Sequence, residues 1–240
     1  MPAKLVLTKK PKGVTIIEGF PGIGLIGTIT TEFLTDHLKT EKIGSILADD
    51  APAMVAVHGS KVVEPISIHY NKKYGIVIVH AISIGKGMGW DMADVIQDLA
   101  KQLNAKEVIS IEGVGSMQQA VGDSKVYYYT SKQKNGAALD KVALPLKEGI
   151  VVGVTGALMA RGTNSALPYT ALFAETQSNL PDSKSSAAII RALDKYLDLD
   201  VDPGPLLKQA QQFEGKLKDL LSHAKKTEDL QAEKAQSYFG

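Results

Sequence analysis

Residues 14–38 read VTIIEGFPGIGLIGTITTEFLTDHL, and the fold class turns on how this stretch divides. Residues 14–18 form a short run rich in β-favouring residues, the length of a buried strand. From Gly22 onward Ile23, Ile26, Phe33, Leu34 and Leu38 recur at helical spacing, and Leu25 and Ile29 widen the apolar face. Gly19-Phe-Pro-Gly22 breaks both patterns and reads as a turn. Strand, turn and apolar helix in direct succession are the unit from which α/β proteins are built.

The same alternation continues on the C-terminal side. Strands are expected at 43–48, around 54–57, at 66–70 and at 76–83, the last two flanking the hairpin turn NKKYG (71–75). Asp91 reads as the N-cap of a helix whose core face is Met92, Val95, Ile96, Leu99 and Leu103. Further strands are expected at 108–112, 126–130 and 150–155. Pro181-Asp182 opens a helix with the stripe Ile189, Ile190, Leu193, Tyr196 and Leu197. The expected fold is α/β, a mixed and mostly parallel sheet covered by helices on both faces. Residues 1–200 form its oligomerising body.

The breaker-rich segment DLDVDPGP (198–205) marks a linker, and 201–240 form a C-terminal helical arm. Leu206, Ala210, Phe213, Leu217, Leu220 and Ala224 alternate four and three apart, an a/d seam that must pack on something. Gly215 weakens it by about 1 kcal/mol relative to alanine. Beyond Ala224 the seam lapses at Thr227 and Gln231, so the rest of the arm is expected to project into water.

Composition narrows the functional classes. The 240 residues are 44% apolar and 22% charged with a formal charge of +1. That balance gives no electrostatic reason to expect nucleic acid or an anionic membrane as partner. The chain contains no cysteine, which excludes disulfides, thiolate metal sites and cysteine nucleophiles and fits a reducing compartment. No apolar h-region follows the N-terminal lysines and no apolar run is long enough to span a bilayer, so a cytoplasmic protein is expected.

The sharpest motif is GIGLIG (22–27), a literal G-x-G-x-x-G between strand and helix, with Asp49 near the end of the next strand where a ribose-binding carboxylate would stand. Against a dinucleotide site, the strand does not run straight into the first glycine, and Pro21 removes a donor from the loop. The helix is apolar on almost every side, and Gly24, Gly27, Thr28 and Thr31 would let another backbone approach. Gly85-Lys-Gly-Met-Gly89 lacks P-loop spacing and reads as a mobile loop at a sheet edge. Glu18 and Glu112 both end expected strands; they either meet as a carboxylate pair or cap the glycine turns that follow. His37, His58, His69, His80 and His223 never fall in a metal-ligand spacing, and Gly113-Val-Gly-Ser116 lacks the nucleophile elbow. Tyr127, Tyr128 and Tyr129 form a strand with alternating faces. The chain closes on Tyr238-Phe239-Gly240, and adjacent aromatics at the tip of a solvated arm are costly unless they dock.

The segment EGFPGIGLIGT (18–28) resembles the N-terminal signature of the second proteasome assembly chaperone and its archaeal homologues. GVTGAL (153–158) is similar to that family's later strand-to-helix turn, and PDSKSSAAII (181–190) to its Pro-Asp-led helix. The resemblance covers about residues 1–200. It implies a nucleoside-phosphorylase-like fold, a homo-oligomer, and binding to proteasome α subunits or the 20S core particle. It implies neither catalysis nor a cofactor or metal, and it makes Gly19, Gly22, Gly24 and Gly27 a structural motif. The terminus independently resembles the hydrophobic–tyrosine–any-residue ending of proteasome activators, with Tyr238, Phe239 and Gly240 as the docking residues. Phenylalanine in the tyrosine position forgoes a hydroxyl hydrogen bond of about 0.5–1.5 kcal/mol. The function expected is a proteasome-binding assembly chaperone that docks through its tail. The alternative is a nucleotide-dependent enzyme using the 22–27 loop and Asp49.

Overall fold

A computed structural model describes residues 3–48, 55–58, 61–115, 124–163, 165–176 and 180–208. In chain order its elements are β1 (Lys4–Leu7), β2 (Thr15–Gly19), α1 (Ile26–His37), β3 (Glu41–Leu47), β4 (Ala56–His58), β5 (Lys61–Val63), β6 (Ile66–Asn71) and β7 (Ile76–Ala81). There follow α2 (Gly89–Gln102), β8 (Glu107–Gly115), β9 (Val126–Thr130), α3 (Gln133–Leu139), β10 (Leu144–Pro145), α4 (Gly153–Gly162), β11 (Tyr169–Thr176) and α5 (Ser183–Leu197). Nine strands make one sheet in the order β1-β3-β6-β7-β2-β8-β11-β9-β10, and β4 and β5 pair as a separate hairpin.

The sheet is evenly mixed, which corrects the expectation of a mostly parallel one. Its centre, β7-β2-β8-β11, is parallel, as is the short β9-β10 ladder. The flank β1-β3-β6-β7 and the β11-β9 pair are antiparallel. The physical reason is local: β6 and β7 join through the tight turn at 72–75, with Asn71 opposite Ile76, and a short turn can join only antiparallel strands.

Alternation sorts the strand residues to two faces. Ile16, Val77, Val79, Val108, Ala171 and Phe173 point to one side, where Met92, Val95, Ile96 and Leu99 of α2 and Val154, Ala157 and Leu158 of α4 cover them. Ile17, Ile78, Ile109, Ile111 and Leu172 point to the other, under Ile26, Ile29 and Leu34 of α1 and Ile189, Ile190 and Leu193 of α5. Each such Val, Leu, Ile, Met or Phe side chain stabilises the fold by about 1.5–3 kcal/mol. The all-round apolar character of α1 is thus answered within the chain, between the sheet and α5.

Capping ties α5 to the glycine turn. The Asp182 carboxylate accepts from the Ser185 N–H at 2.9 Å and from the Thr176 hydroxyl at 2.8 Å. Its own N–H donates to the Gly24 carbonyl at 2.9 Å. After α5 the chain stays on the body: Leu199, Val201 and Leu206 are buried in the α1–α5 core, so the breaker-rich segment is packed.

Three expectations need correction. The run at 150–155 is no strand: Ile150 and Val152 are exposed, and α4 starts at Gly153, whose φ of +73° glycine adopts without strain. Asp91 is not the N-cap, because α2 begins two residues earlier behind Met88 and no side chain caps it. The strand β11, in the parallel centre of the sheet, was not expected, nor were β1, β5, α3 and β10. Asp49 and Met54 lie outside the described residues, as do Ser116, His223, Ala210, Phe213, Leu217, Leu220, Ala224 and the residues expected to dock, Tyr238, Phe239 and Gly240.

Candidate functional site

The carboxyl ends of β2, β7 and β8 open into a cleft of about 950 Å³. This is the end of a parallel sheet at which α/β proteins bind ligands. Three segments frame it: the turn after β2 with Phe20, Pro21 and Gly22, the loop 84–89 before α2, and residues 149–153 leading into α4. Phe20, Ile84, Met88, Val151 and Phe173 give apolar walls, and Lys86 and Glu112 are the ionisable side chains of the lining. At the rim Ile150 is 95% exposed, Val152 73% and Trp90 55%. The Arg161 guanidinium lies 5.2 Å from the centre of the Trp90 ring and pairs with Asp94 at 3.0 Å.

The glycines of the 22–27 motif are packed against protein. A Cβ on Gly22 would overlap the Glu112 carboxylate, and one on Gly19 the Gly27 carbonyl. A Cβ on Gly27 would come within 2.7 Å of the Ile111 carbonyl and 2.8 Å of that of Phe20. Gly24 has φ +67° and sits against Thr176. The chain makes a single 3-10 turn at Ile23–Leu25 before α1, and Leu25 is left-handed at φ +50°. In a phosphate-binding loop the backbone N–H groups face open space; here a carboxylate occupies it.

Glu18 and Glu112 do come together. Both lie on the α2–α4 side of the sheet, Glu18 opposite Ser110 in the β2–β8 ladder and Glu112 two residues further along β8. Glu112 Oε1 accepts from the Gly113 N–H at 3.1 Å, the Ile23 N–H also faces the carboxylate, and Oε2 has a long 3.4 Å contact with the Thr155 hydroxyl. Glu112 therefore also caps a glycine turn, as the second reading of this residue expected. Burial pushes its carboxyl up to about 7. Behind it Glu18 is wholly buried, and neither oxygen meets hydrogen-bond geometry with a described group. Burial pushes Glu18 up to about 8; the Ser110 hydroxyl alongside only partly offsets this, and the Glu112 charge adds to it. The Tyr169 hydroxyl donates to Ser110 Oγ at 2.6 Å and is raised by burial first and the two acids second.

Tyr169 and Thr155 were missed in the sequence because they come from β11 and α4, whose positions the local pattern did not give. The other conspicuous polar clusters are structural. On the opposite face the His80 ring bonds Thr31 Oγ1 at 3.0 Å and Glu32 at 2.8 Å. Burial, with His80 nearby, lowers His69 to about 4. Glu107 accepts from Thr170, Asn135 and Tyr196, knotting β8, β11, α3 and α5 together. Tyr128 faces the α1–α5 core and donates to Asp140 at 2.7 Å, and Tyr127 on the other face donates to Glu175 at 2.9 Å. Among the described residues no cluster of three or more His, Cys, Asp or Glu could hold a metal ion, and no helix is long and apolar enough to cross a membrane.

The fold has solved counterparts. The chain superposes on Pyrococcus furiosus PbaA, an archaeal homolog of proteasome-assembly chaperone, with TM-score 0.83 and 27% identity, covering 96% of this chain and 100% of PbaA. Pyrococcus furiosus PbaB, an archaeal proteasome activator, shares the fold with TM-score 0.76 and 21% identity over 91% of this chain and 98% of its own. An uncharacterized protein of Methanocaldococcus jannaschii is 26% identical over 205 residues, 85% of this chain and 84% of that protein. The model of the PAC2 family matches residues 16–221, so the chain belongs to the PAC2 family.

Proposed function

We propose that this protein is an assembly chaperone or adaptor of the proteasome, cytoplasmic and homo-oligomeric, that docks on α subunits of the 20S core particle through Tyr238, Phe239 and Gly240. The observation that carries the reading is the likeness to PbaA over nearly the whole of both chains, at 27% identity, in a member of the PAC2 family. The body is not an enzyme on this reading, needs no cofactor, and uses Gly19, Gly22, Gly24 and Gly27 to pack a turn. Because α5 covers α1, self-association draws on other surfaces, and the exposed Val57, Val62, Ile150 and Val152 supply apolar area for it. A single tail binds weakly; several on one oligomer raise effective concentration and gain about 10² to 10⁴-fold in avidity.

The test is a pull-down of purified 20S core particle by the full chain and by a chain lacking residues 238–240. Loss of capture on deletion, with melting and sedimentation unchanged, is the expected result. Capture by the truncated chain would move recognition to the body. Failure of both chains to bind, together with a melting shift from ATP or NAD, would favour the enzyme reading instead.

A further inference from the structure

We propose that the glycine-lined cleft is a binding site for a primary ammonium carried on an apolar body, seated on Glu112. The shared chemistry has two sources, a free hydrophobic amine and the N-terminus of a peptide with an apolar first residue.

The cleft has the volume of a small-molecule site, about 950 Å³, and sits where a parallel sheet offers its loops. Its floor is preorganised. The Gly113 N–H holds Glu112 Oε1, the Ile23 N–H also faces the carboxylate, and the absence of a side chain at Gly22 leaves it room. Among the described side chains Oε2 meets the Thr155 hydroxyl alone, at a long 3.4 Å, so it keeps capacity to accept. Glu18 stands directly behind, fully buried, with the Ser110 hydroxyl alongside and neither oxygen in hydrogen-bond geometry with a described group. Among the described residues no Lys, Arg or His forms an ion pair with either acid. A Glu112 that ionises here without a counter-charge favours a guest that brings one, because a buried charge is tolerated when it is paired. The walls, Phe20, Ile84, Met88, Val151 and Phe173, suit an apolar body. The uncapped N-termini of α2 and α4 open on the same cleft and favour an anion. The sign of the guest's charge is therefore the deciding question.

The probes are 2-phenylethylamine, 2-phenylethanol and 3-phenylpropionate, one body with three heads, titrated into the full chain by calorimetry and followed by NMR. A second arm uses the tripeptide Phe-Ala-Ala with its N-terminus free or acetylated. The expected result is saturable binding of the amine or the free peptide, with the alcohol and the acid weaker by about tenfold or more, the worth of one charged hydrogen bond. Binding of the peptide alone identifies the source as a chain end; binding of the amine alone identifies it as a small molecule.

Glu112 must be ionised to hold the cation, and burial places it at about 7. Affinity for the amine therefore rises about tenfold from pH 6 to pH 8, and for the free peptide by less, because its α-amino group itself deprotonates near pH 8. The groups facing it from neighbouring elements are Glu18 on β2, Tyr169 on β11 and Lys86 before α2; α4 contributes the non-titrating Thr155. Glu112→Gln should lose the amine by at least the same factor. If that variant fails to fold, the wild-type pH profile and the head-group series still decide. Equal or tighter binding of the acid, equal binding of acetylated peptide, or no binding by any probe overturns the proposal.

Discussion

Replacing Glu18 by glutamine keeps the shape of the side chain and removes its ability to ionise. In the folded protein burial holds this carboxyl at about 8 against an ordinary 4.5. A carboxyl raised on folding binds its proton more tightly in the native state. The resulting stabilisation is complete below pH 4.5 and is lost as pH rises through 8. Relative to a group with no shift, the linkage relation gives a cost of about 2 kcal/mol at pH 6 and about 5 kcal/mol at pH 9. Glu18→Gln avoids that growing cost, so its stability relative to wild type should improve by about 3 kcal/mol between pH 6 and pH 9. Any fixed penalty of the amide cancels in the difference. Urea unfolding of both proteins at pH 6, 7, 8 and 9 at constant ionic strength measures it. Parallel stability profiles, with a gap constant within about 0.5 kcal/mol, would refute the argument that Glu18 is buried without a counter-charge.

Gly27→Ala should destabilise the body by about 3 kcal/mol, because the new methyl meets two backbone carbonyls at 2.7 and 2.8 Å that cannot yield separately; denaturant unfolding checks this. Leu206→Ala should cost about 2–3 kcal/mol if the junction after α5 is part of the core, whereas an unchanged midpoint would assign that residue to a detached arm. His69→Asn should flatten the acid side of the stability profile. The imidazole, lowered to about 4 from 6.5, refuses in the folded state a proton that the unfolded chain takes up. Wild type therefore loses up to about 3 kcal/mol as pH falls through that window.

What was legible in the sequence was whatever a local period could carry. The strand–turn–helix of residues 14–38 and the β6–β7 hairpin announce themselves as short β-favouring apolar runs bounded by turn residues, and α2 and α5 by an apolar stripe at helical spacing. The strand β11 does not, although it lies in the parallel centre of the sheet. Its YTALFAET is buried on both faces, and Ala171 and Ala174 sit where helices pack closely, so alternation is absent. The run at 150–155 misled for the opposite reason. Its apolar side chains edge a cleft, and their exposure depends on loops distant in sequence. The meeting of Glu18, Glu112 and Tyr169 was illegible because it needs the adjacency β2-β8-β11, a non-local fact.

The glycine spacing of 22–27 is shared with dinucleotide-binding loops, yet the surroundings give it a different use. A phosphate placed over Gly22 would displace the Glu112 carboxylate or stand beside it, with Glu18 just beneath. Where Glu112 is ionised, the repulsion at about 4 Å and an effective dielectric near 20 costs about 4 kcal/mol, more than a helix N-terminus returns at about 0.3–2 kcal/mol. Lys86 stands on the cleft wall and forms no ion pair with Glu112 among the described residues, so the floor is not neutralised from within. The glycines instead bring Phe20, Ile111 and the start of α1 into backbone contact and hold an acid at the mouth of the sheet. A loop that in other proteins presents amides to an anion here presents a carboxylate, and on the proposal above the cleft takes a guest of the opposite sign.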